Sequence, residues 1–164
     1  ENKLVLPEGF IENLQLYLDI GTQWKRKTGT HIEIRSGMVN FSTVGREASP
    51  DLREAYYKWD KSTGEREDIV DYIKGLYPEF EVSIGGQISV DIYPAGYNKS
   101  QVVEKIQELH GADVSMIFVG DRNVPGGNDW PLAQRLEAME TSAWYQVLSY
   151  EETRALIEYS ELFR

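Results

Sequence analysis

The sequence contains no cysteine and only two histidines among its 164 residues. The lack of cysteine excludes disulfide bonds and thiolate metal sites, and two isolated histidines are too few for a histidine-rich zinc site. A chain without cysteine fits a reducing compartment, and we expect a cytoplasmic protein. No apolar run approaches the length that a membrane-spanning helix needs, so we expect no membrane partner.

Positive charge is also scarce, because 17 lysines and arginines face 27 acidic residues and the formal net charge is −10. Affinity for nucleic acid depends on a dense basic patch, and no such patch is visible, so we predict no nucleic-acid partner. An anionic small molecule can still bind where arginines converge locally. With 41% hydrophobic residues, the chain has enough apolar material for one or two compact domains.

The first part of the chain shows a helical pattern followed by two hairpin patterns. Apolar residues recur at helical spacing over residues 9–27. The segments HIEIR and MVNFS then alternate around Ser36 and Gly37, and EVSI and QISVDIY alternate around Gly85 and Gly86. Ser49 before a proline predicts the start of a helix, and a second helix is expected in EREDIVDYIKGLY.

These patterns predict an α+β layer, an antiparallel sheet of two glycine-turn hairpins with helices on one face. One set of alternating residues is assigned to the packed face: Ile32, Ile34, Val39, Phe41, Ile88, Val90 and Ile92. The other set is assigned to a polar face: Glu33, Arg35, Asn40, Ser42, Gln87, Ser89 and Asp91.

The second part of the chain alternates helices with short apolar strands. We predict a helix over 99–109, a buried strand over 114–119, a helix after Asn128, a short strand in AWYQVL and a helix from about residue 150. This order is typical of a parallel sheet, although two strands are too few to form such a sheet alone. The change of pattern predicts two domains, residues 1–97 and residues 98–164.

The loop VGDRNVPGGND, residues 119–129, follows the predicted buried strand and carries two aspartates. Ligands of open α/β sheets bind at the carboxyl ends of the strands. Asp121 and Asp129 can supply hard oxygen ligands to Mg²⁺, and Asn128 can add or orient one. The alternative is a polar turn before a helix, with Asp129 or Asn128 as its cap.

Three arginines, Arg35, Arg46 and Arg53, lie near one predicted edge of the first sheet. Guanidinium groups bind phosphate oxygens through paired hydrogen bonds, so these residues are candidates for phosphate binding. Ser89 and Asp91 share the polar face and suit sugar hydroxyls. The alternatives are exposed arginines without a ligand and an ordinary solvated sheet face.

Lys99 begins the helix that follows the boundary between the two segments. A cation there can neutralise a phosphoryl group, and the alternative is a solvated lysine. The segment LDIGT, residues 18–22, is similar to a phosphatase nucleophile motif, but it lies within a helical pattern and is not assigned to chemistry.

Three stretches together resemble the eukaryotic-type (alpha) phosphomannomutases of the haloacid dehalogenase superfamily: GTHIEIRSGMVNFSTVGREASPDLREAYYKWDK, SIGGQISVDIYPAGYNK and FVGDRNVPGGND. The resemblance runs from about residue 9 to about residue 157. In that family a cap domain is inserted between two halves of a Rossmann-like core. Residues 1–97 resemble the cap, and residues 98–164 resemble the second half of the α/β core.

The resemblance implies a role for each candidate residue. Arg35, Arg46 and Arg53 would bind the substrate phosphate, while Ser89 and Asp91 would contact the sugar or its distal phosphate. In the core, Lys99 would stabilise the phosphoryl group, Asp121 would bind the essential Mg²⁺, and Asn128 and Asp129 would support the metal and a loop below it.

The resemblance also implies an activity, the interconversion of mannose 6-phosphate and mannose 1-phosphate. Family members work through an aspartyl-phosphate, with Mg²⁺ and a hexose 1,6-bisphosphate activator, and their caps commonly form homodimers. A sugar-phosphate phosphatase of the same superfamily and a non-catalytic sugar-phosphate binding module are the alternatives.

The family's nucleophile motif, Asp-x-Asp-Gly-Thr, is absent from these residues, and no Asp-x-Asp occurs among them. We therefore expect a fragment that lacks the N-terminal half of the core and has no mutase activity alone. A second departure follows Asp129, where the loop is longer than usual and Trp130 replaces a typical histidine.

Overall fold

The computed structural model describes residues 4–160 of the chain. The chain divides into two compact units, Glu1–Tyr97 and Asn98–Arg164. None of the helices within the described residues is long and apolar enough to span a membrane.

The first unit contains a four-stranded antiparallel sheet with the strand order β1-β2-β4-β3. Its strands are β1 (Ile32–Ile34), β2 (Val39–Phe41), β3 (Phe80–Gly85) and β4 (Ser89–Pro94). Both predicted hairpins are present, and pairing between β2 and β4 joins them. Val39 lies opposite Ile92, and Phe41 lies opposite Val90. Because directly paired residues share a face, this register brings the predicted apolar residues together.

Helices of the first unit pack in two buried clusters, one of which includes the apolar face of this sheet. They are α1 (Phe10–Leu16), which continues into a π-helical turn (Tyr17–Gly21), α2 (Pro50–Thr63) and α3 (Glu65–Leu76). The predicted cap of α2 is confirmed, because the Ser49 side chain accepts a hydrogen bond from the Leu52 N–H at 3.3 Å. The main core consists of residues from α1, its π-helical turn, α3 and the sheet: Phe10, Leu14, Leu18, Ile69, Ile73, Val39, Phe41, Val82, Val90 and Ile92, among others.

The helix predicted over residues 9–27 is too long, since the observed helical segment ends at Gly21. Thr22 is extended, and its hydroxyl accepts a hydrogen bond from the Trp24 backbone N–H at 3.0 Å. The chain then brings Trp24 into a second buried cluster, where its ring lies 5.3 Å from that of Tyr56. Packing against α2 therefore replaces a further helical turn.

The predicted assignment of residues to the two sheet faces needs correction at four positions. Ile34 is 59% exposed because it ends a short edge strand. Ile88 is buried as predicted, although it lies in the β3–β4 turn and packs in the second cluster. Asn40, Ser42 and Ser89, which were assigned to the polar face, are buried. Asn40 donates a hydrogen bond to the Asp91 carboxylate at 2.7 Å, and Ser42 donates one to the Ile88 carbonyl at 2.8 Å.

Up to residue 160, the second unit contains two parallel strands and three helices, and the predicted parallel pairing is confirmed. Its elements are α4 (Gln101–His110), β5 (Ile117–Gly120), α5 (Trp130–Glu137), β6 (Ala143–Gln146) and α6 (Tyr150–Tyr159). Val103, Met116, Leu132 and Leu136 form its core. The expectation of a fully buried strand is wrong, since Ile117 is 41% exposed. Within the described residues, β5 pairs only with β6, which leaves its other edge uncovered.

Candidate functional site

Two of the three candidate arginines converge on the carboxylate of Glu33. Arg35 Nη2 donates to Glu33 Oε2 at 2.7 Å, and Arg46 Nε lies 3.4 Å from the same oxygen. We call these three residues the arginine cluster. The hydrogen bond from Arg35 lowers the pKa of Glu33. The same bond raises the pKa of Arg35, and the charge of Asp91 adds to this effect.

The backbone places the two arginines at opposite ends of the β1–β2 hairpin, and their side chains reach Glu33 between them. The Arg35 N–H donates to the Met38 carbonyl across the β1–β2 turn at 2.8 Å, and the Arg46 N–H donates to the Thr30 carbonyl at 2.8 Å. Gly45 allows the second arrangement, because its φ is +94° and a Cβ there would lie 1.6 Å from the Thr28 carbonyl oxygen. The loop after β2 is thereby held beside the segment that leads into β1.

Arg53 has a different position from the other two arginines. Its guanidinium group donates to the Ala48 carbonyl at 2.9 Å and to the Arg46 carbonyl. Arg53 therefore holds the loop that carries Arg46, and its side chain does not contact Glu33 through any bond found in the described residues. The side chains of Arg35 and Arg46 thus meet at Glu33, whereas that of Arg53 binds the loop between β2 and α2.

A cleft of about 270 Å³ lies beside the arginine cluster and is lined by Thr30, Glu33, Arg46 and Glu47. The Glu47 carboxylate accepts hydrogen bonds from the Thr30 N–H and, at 3.1 Å, from the Thr30 hydroxyl. The two carboxylates of the cleft thus have different partners. Glu33 contacts arginines, whereas Glu47 holds the backbone at Thr30.

A row of polar residues connects the arginine cluster with the predicted sugar-binding residues. Glu33 lies opposite Asn40 in the β1–β2 register, and Asn40 lies opposite Asp91 in the β2–β4 register. The Asn40 amide donates to Asp91 Oδ1 at 2.7 Å. Ser89, two residues before Asp91, is buried on the same face. The sheet therefore presents Ser89, Asp91 and the arginine cluster on one face.

In the second unit, Lys99 forms an ion pair with Asp129. Asp129 is 3% exposed, and its second carboxylate oxygen accepts a hydrogen bond from the Arg122 N–H at 3.1 Å. Asp129 precedes α5, but its side chain makes no capping hydrogen bond to that helix. The alternative of a simple helix cap therefore does not explain this carboxylate. Lys99 remains 48% exposed and can contact a ligand.

Asn123 is a buried residue of the same loop that the sequence patterns did not single out. Its side-chain amide donates to the Gly120 carbonyl at 3.2 Å and to the Tyr145 carbonyl at 3.1 Å. These carbonyls belong to β5 and β6, so Asn123 joins the carboxyl ends of the two strands. In the sequence, only its position two residues after Asp121 connects Asn123 with the candidate site. The sequence does not show which backbone carbonyls the side-chain amide contacts.

The candidate metal ligands differ in their surroundings. Asp121 is exposed directly after β5 and borders a cleft of about 290 Å³ that also includes Ser149 and Thr153. Its carboxylate suits Mg²⁺, which favours oxygen ligands and keeps several waters or substrate oxygens. Among residues 4–160, however, no group of three or more acidic or histidine side chains is placed to hold a metal ion. The assignment of Asp121, Asn128 and Asp129 to a metal stays a prediction.

Gly120 keeps this loop close to the end of β5. A Cβ at this position would lie 2.7 Å from Asp129 Oδ2, 2.7 Å from Phe118 Cζ and 3.0 Å from Asn123 Oδ1. Such distances are well below normal van der Waals contact. A side chain at Gly120 would therefore displace the carboxylate that holds Lys99.

A model of the family "Eukaryotic phosphomannomutase" matches residues 9–162. The chain belongs to this family. The match covers both units, including the arginine cluster and the loop with Asp121 and Asp129. The family membership predicted from the three motifs is thereby confirmed.

Individual phosphomannomutases are similar to the chain at moderate identity. The phosphomannomutase of Solanum lycopersicum is 37% identical over 132 residues, which cover 77% of this chain and 48% of the relative. That of Schizosaccharomyces pombe is 39% identical over 108 residues, 65% of this chain and 41% of the relative. That of Saccharomyces cerevisiae is 35% identical over 109 residues, 65% of this chain and 42% of the relative. The chain spans less than half the length of these phosphomannomutases.

Proposed function

We propose that the chain provides the substrate-binding cap and the second half of the catalytic core of a phosphomannomutase with the fold of the haloacid dehalogenase superfamily. The whole protein would interconvert mannose 6-phosphate and mannose 1-phosphate. The observation that carries the proposal is the convergence of Arg35 and Arg46 on one exposed face, within a chain that matches the family. We further propose a cytoplasmic homodimer that pairs through the cap.

The first unit would bind the substrate. Guanidinium groups donate to phosphate oxygens in a planar, paired arrangement, and Arg35 and Arg46 lie close enough to act on one phosphate. Arg53 would support them through its bonds to the Arg46 loop. Ser89 and Asp91 can contact hydroxyls of the sugar or its distal phosphate, because they lie on the same face.

The second unit would serve the phosphoryl group. The Lys99 ammonium is held by the buried Asp129 and can donate to a phosphoryl oxygen while its charge offsets the negative charge that develops there. Asp121 would hold Mg²⁺, with Asn128 and Asp129 in support. When bound, Mg²⁺ would neutralise phosphoryl oxygens and orient them.

Binding of mannose 6-phosphate tests this proposal. We expect Arg46→Glu to weaken binding by roughly 10- to 100-fold, since a charge-assisted hydrogen bond contributes about 1.5–3 kcal/mol. Calorimetry or an NMR titration of the 164-residue chain measures the affinity.

Lys58→Glu is the matched control, because it makes the same change of charge at an exposed position on α2, where Lys58 pairs only weakly with Glu54 at 3.3 Å. We expect this variant to bind the sugar phosphate almost as the parent chain does. Equal losses in both variants would show a general effect of charge and would remove Arg46 from the site.

A further inference from the structure

We propose that Glu33 is a positioning residue that sets the two arginines of the cluster for phosphate binding. This inference rests on the proposed function, because it assigns Arg35 and Arg46 to the substrate phosphate. Neither the family match nor the motifs give Glu33 a role.

The contacts of Glu33 account for the position of both guanidinium groups. A single oxygen, Oε2, accepts from Arg35 Nη2 at 2.7 Å and lies 3.4 Å from Arg46 Nε. Arg35 follows β1, whereas Arg46 follows β2, so the carboxylate bridges side chains from two different segments. Without it, each long side chain would sample several rotamers.

The charge of Glu33 also makes the approach of the two arginines favourable. Two guanidinium groups that bind the same oxygen lie within a few ångströms of each other and would repel without an anion between them. Each guanidinium group has three nitrogens, and the contact with Glu33 involves one nitrogen of each. The remaining nitrogens retain N–H donors of the kind that bind a phosphate. The carboxylate therefore orients the pair without occupying every donor.

Glu47 provides a matched comparison in the same cleft. Its carboxylate also lines the cleft with Arg46, but its oxygens accept from the backbone and hydroxyl of Thr30. Glu33→Gln and Glu47→Gln therefore remove the same charge from one cleft. Only the first change replaces a side chain that contacts both arginines.

The test measures binding of mannose 6-phosphate and of inorganic phosphate to the 164-residue chain. Glu33→Gln is expected to weaken binding of both ligands by about three- to tenfold, because exposed ion pairs make modest contributions and both arginines lose the anion between them. Glu47→Gln is expected to change binding by less than about twofold. Glu33→Asp shortens the side chain, so it can hold one arginine but not both, and an intermediate loss is expected.

A double-variant cycle separates positioning from a general structural role. In an Arg46→Gln background, Glu33→Gln should lose most of its effect, because one of the two groups that it positions is gone. Thermal unfolding and backbone chemical shifts verify that each variant is folded. If Glu33→Gln does not fold, Glu33→Asp carries the same test.

Three results would overturn the inference. The first is tighter phosphate binding by Glu33→Gln, which would show that the carboxylate competes with phosphate. The second is an equal loss of affinity in Glu47→Gln. The third is a loss of affinity on Glu33→Gln that is as large in the Arg46→Gln background as in the parent chain. Failure of the unsubstituted chain to bind either ligand is a different outcome, since it contradicts the proposed function itself and the role of Glu33 with it.

Discussion

Replacement of Arg66 by alanine is expected to lower the free energy of unfolding of the first unit by about 3–5 kcal/mol. Arg66 is 2% exposed and pairs with Asp60, which is 3% exposed. Arg66 Nε donates to Asp60 Oδ2 at 2.8 Å, and the Arg66 backbone N–H donates to Asp60 Oδ1 at 2.8 Å. Removal of the guanidinium group would leave a buried carboxylate without its cation.

The same arginine also fixes the turn between β3 and β4. Arg66 Nη1 donates to the Gly85 carbonyl at 3.2 Å and to the Gly86 carbonyl at 3.0 Å. The turn leads directly into β4, which carries Ser89 and Asp91. We therefore expect Arg66→Ala to weaken sugar-phosphate binding as well, through a less ordered hairpin.

Urea unfolding followed by tryptophan fluorescence measures the effect, because Trp24 and Trp59 pack against Tyr56 in the same unit. Lys58→Ala is the control. Lys58 forms an exposed pair with Glu54 on α2, and its loss should cost about 0.5 kcal/mol or less. A loss below about 1 kcal/mol for Arg66→Ala would contradict the account, since the penalty for an unpaired buried charge is several times larger.

Replacement of Lys99 by methionine is expected to slow phosphoryl transfer by about 10²- to 10³-fold in a protein that also contains the nucleophile motif. Methionine keeps much of the length of the side chain but removes the charge and the N–H donors. The buried Asp129 would at the same time lose its cationic partner. The substitution therefore removes a positive charge and leaves a negative charge unpaired where the phosphoryl group is proposed to lie.

Lys105→Met is the matched control for this experiment. Lys105 is 68% exposed on α4 and pairs with Glu108 at 2.6 Å, so the substitution removes the same charge away from the loop with Asp129. We expect its turnover to stay within about twofold of the parent protein. Quenched-flow measurement of a single turnover gives the rate for each protein. A reduction smaller than about threefold for Lys99→Met would exclude Lys99 from phosphoryl stabilisation.

The local features of the fold could be predicted because they depend on neighbours in the sequence. Alternation around Ser36-Gly37 and Gly85-Gly86 predicts both hairpins, and the order Ser49-Pro50 predicts the start of α2. The end of the first helix could not be predicted in this way. It falls at Gly21, and the chain beyond it packs Trp24 against Tyr56, a contact 32 residues further along the chain that the helical spacing does not predict.

The candidate site shows the same limit. Residue types and motifs indicated four candidate site residues, Arg35, Arg46, Lys99 and Asp129. They did not predict the hydrogen-bond partner of each side chain. The Asp129 carboxylate binds Lys99, which lies 30 residues away in the sequence, instead of capping α5. Arg53 binds backbone carbonyls instead of joining the carboxylate of Glu33. These hydrogen-bond partners depend on distances between residues that are set only in the folded chain.

The central claim is that these residues form the cap and second core half of a phosphomannomutase. Phosphorus NMR tests it most directly, with this chain joined to the core half that carries Asp-x-Asp-Gly-Thr and given mannose 1-phosphate, Mg²⁺ and a catalytic amount of glucose 1,6-bisphosphate. We predict growth of the mannose 6-phosphate signal for the joined protein and no conversion by the 164-residue chain alone. Growth of inorganic phosphate in place of mannose 6-phosphate would contradict the account and indicate a phosphatase.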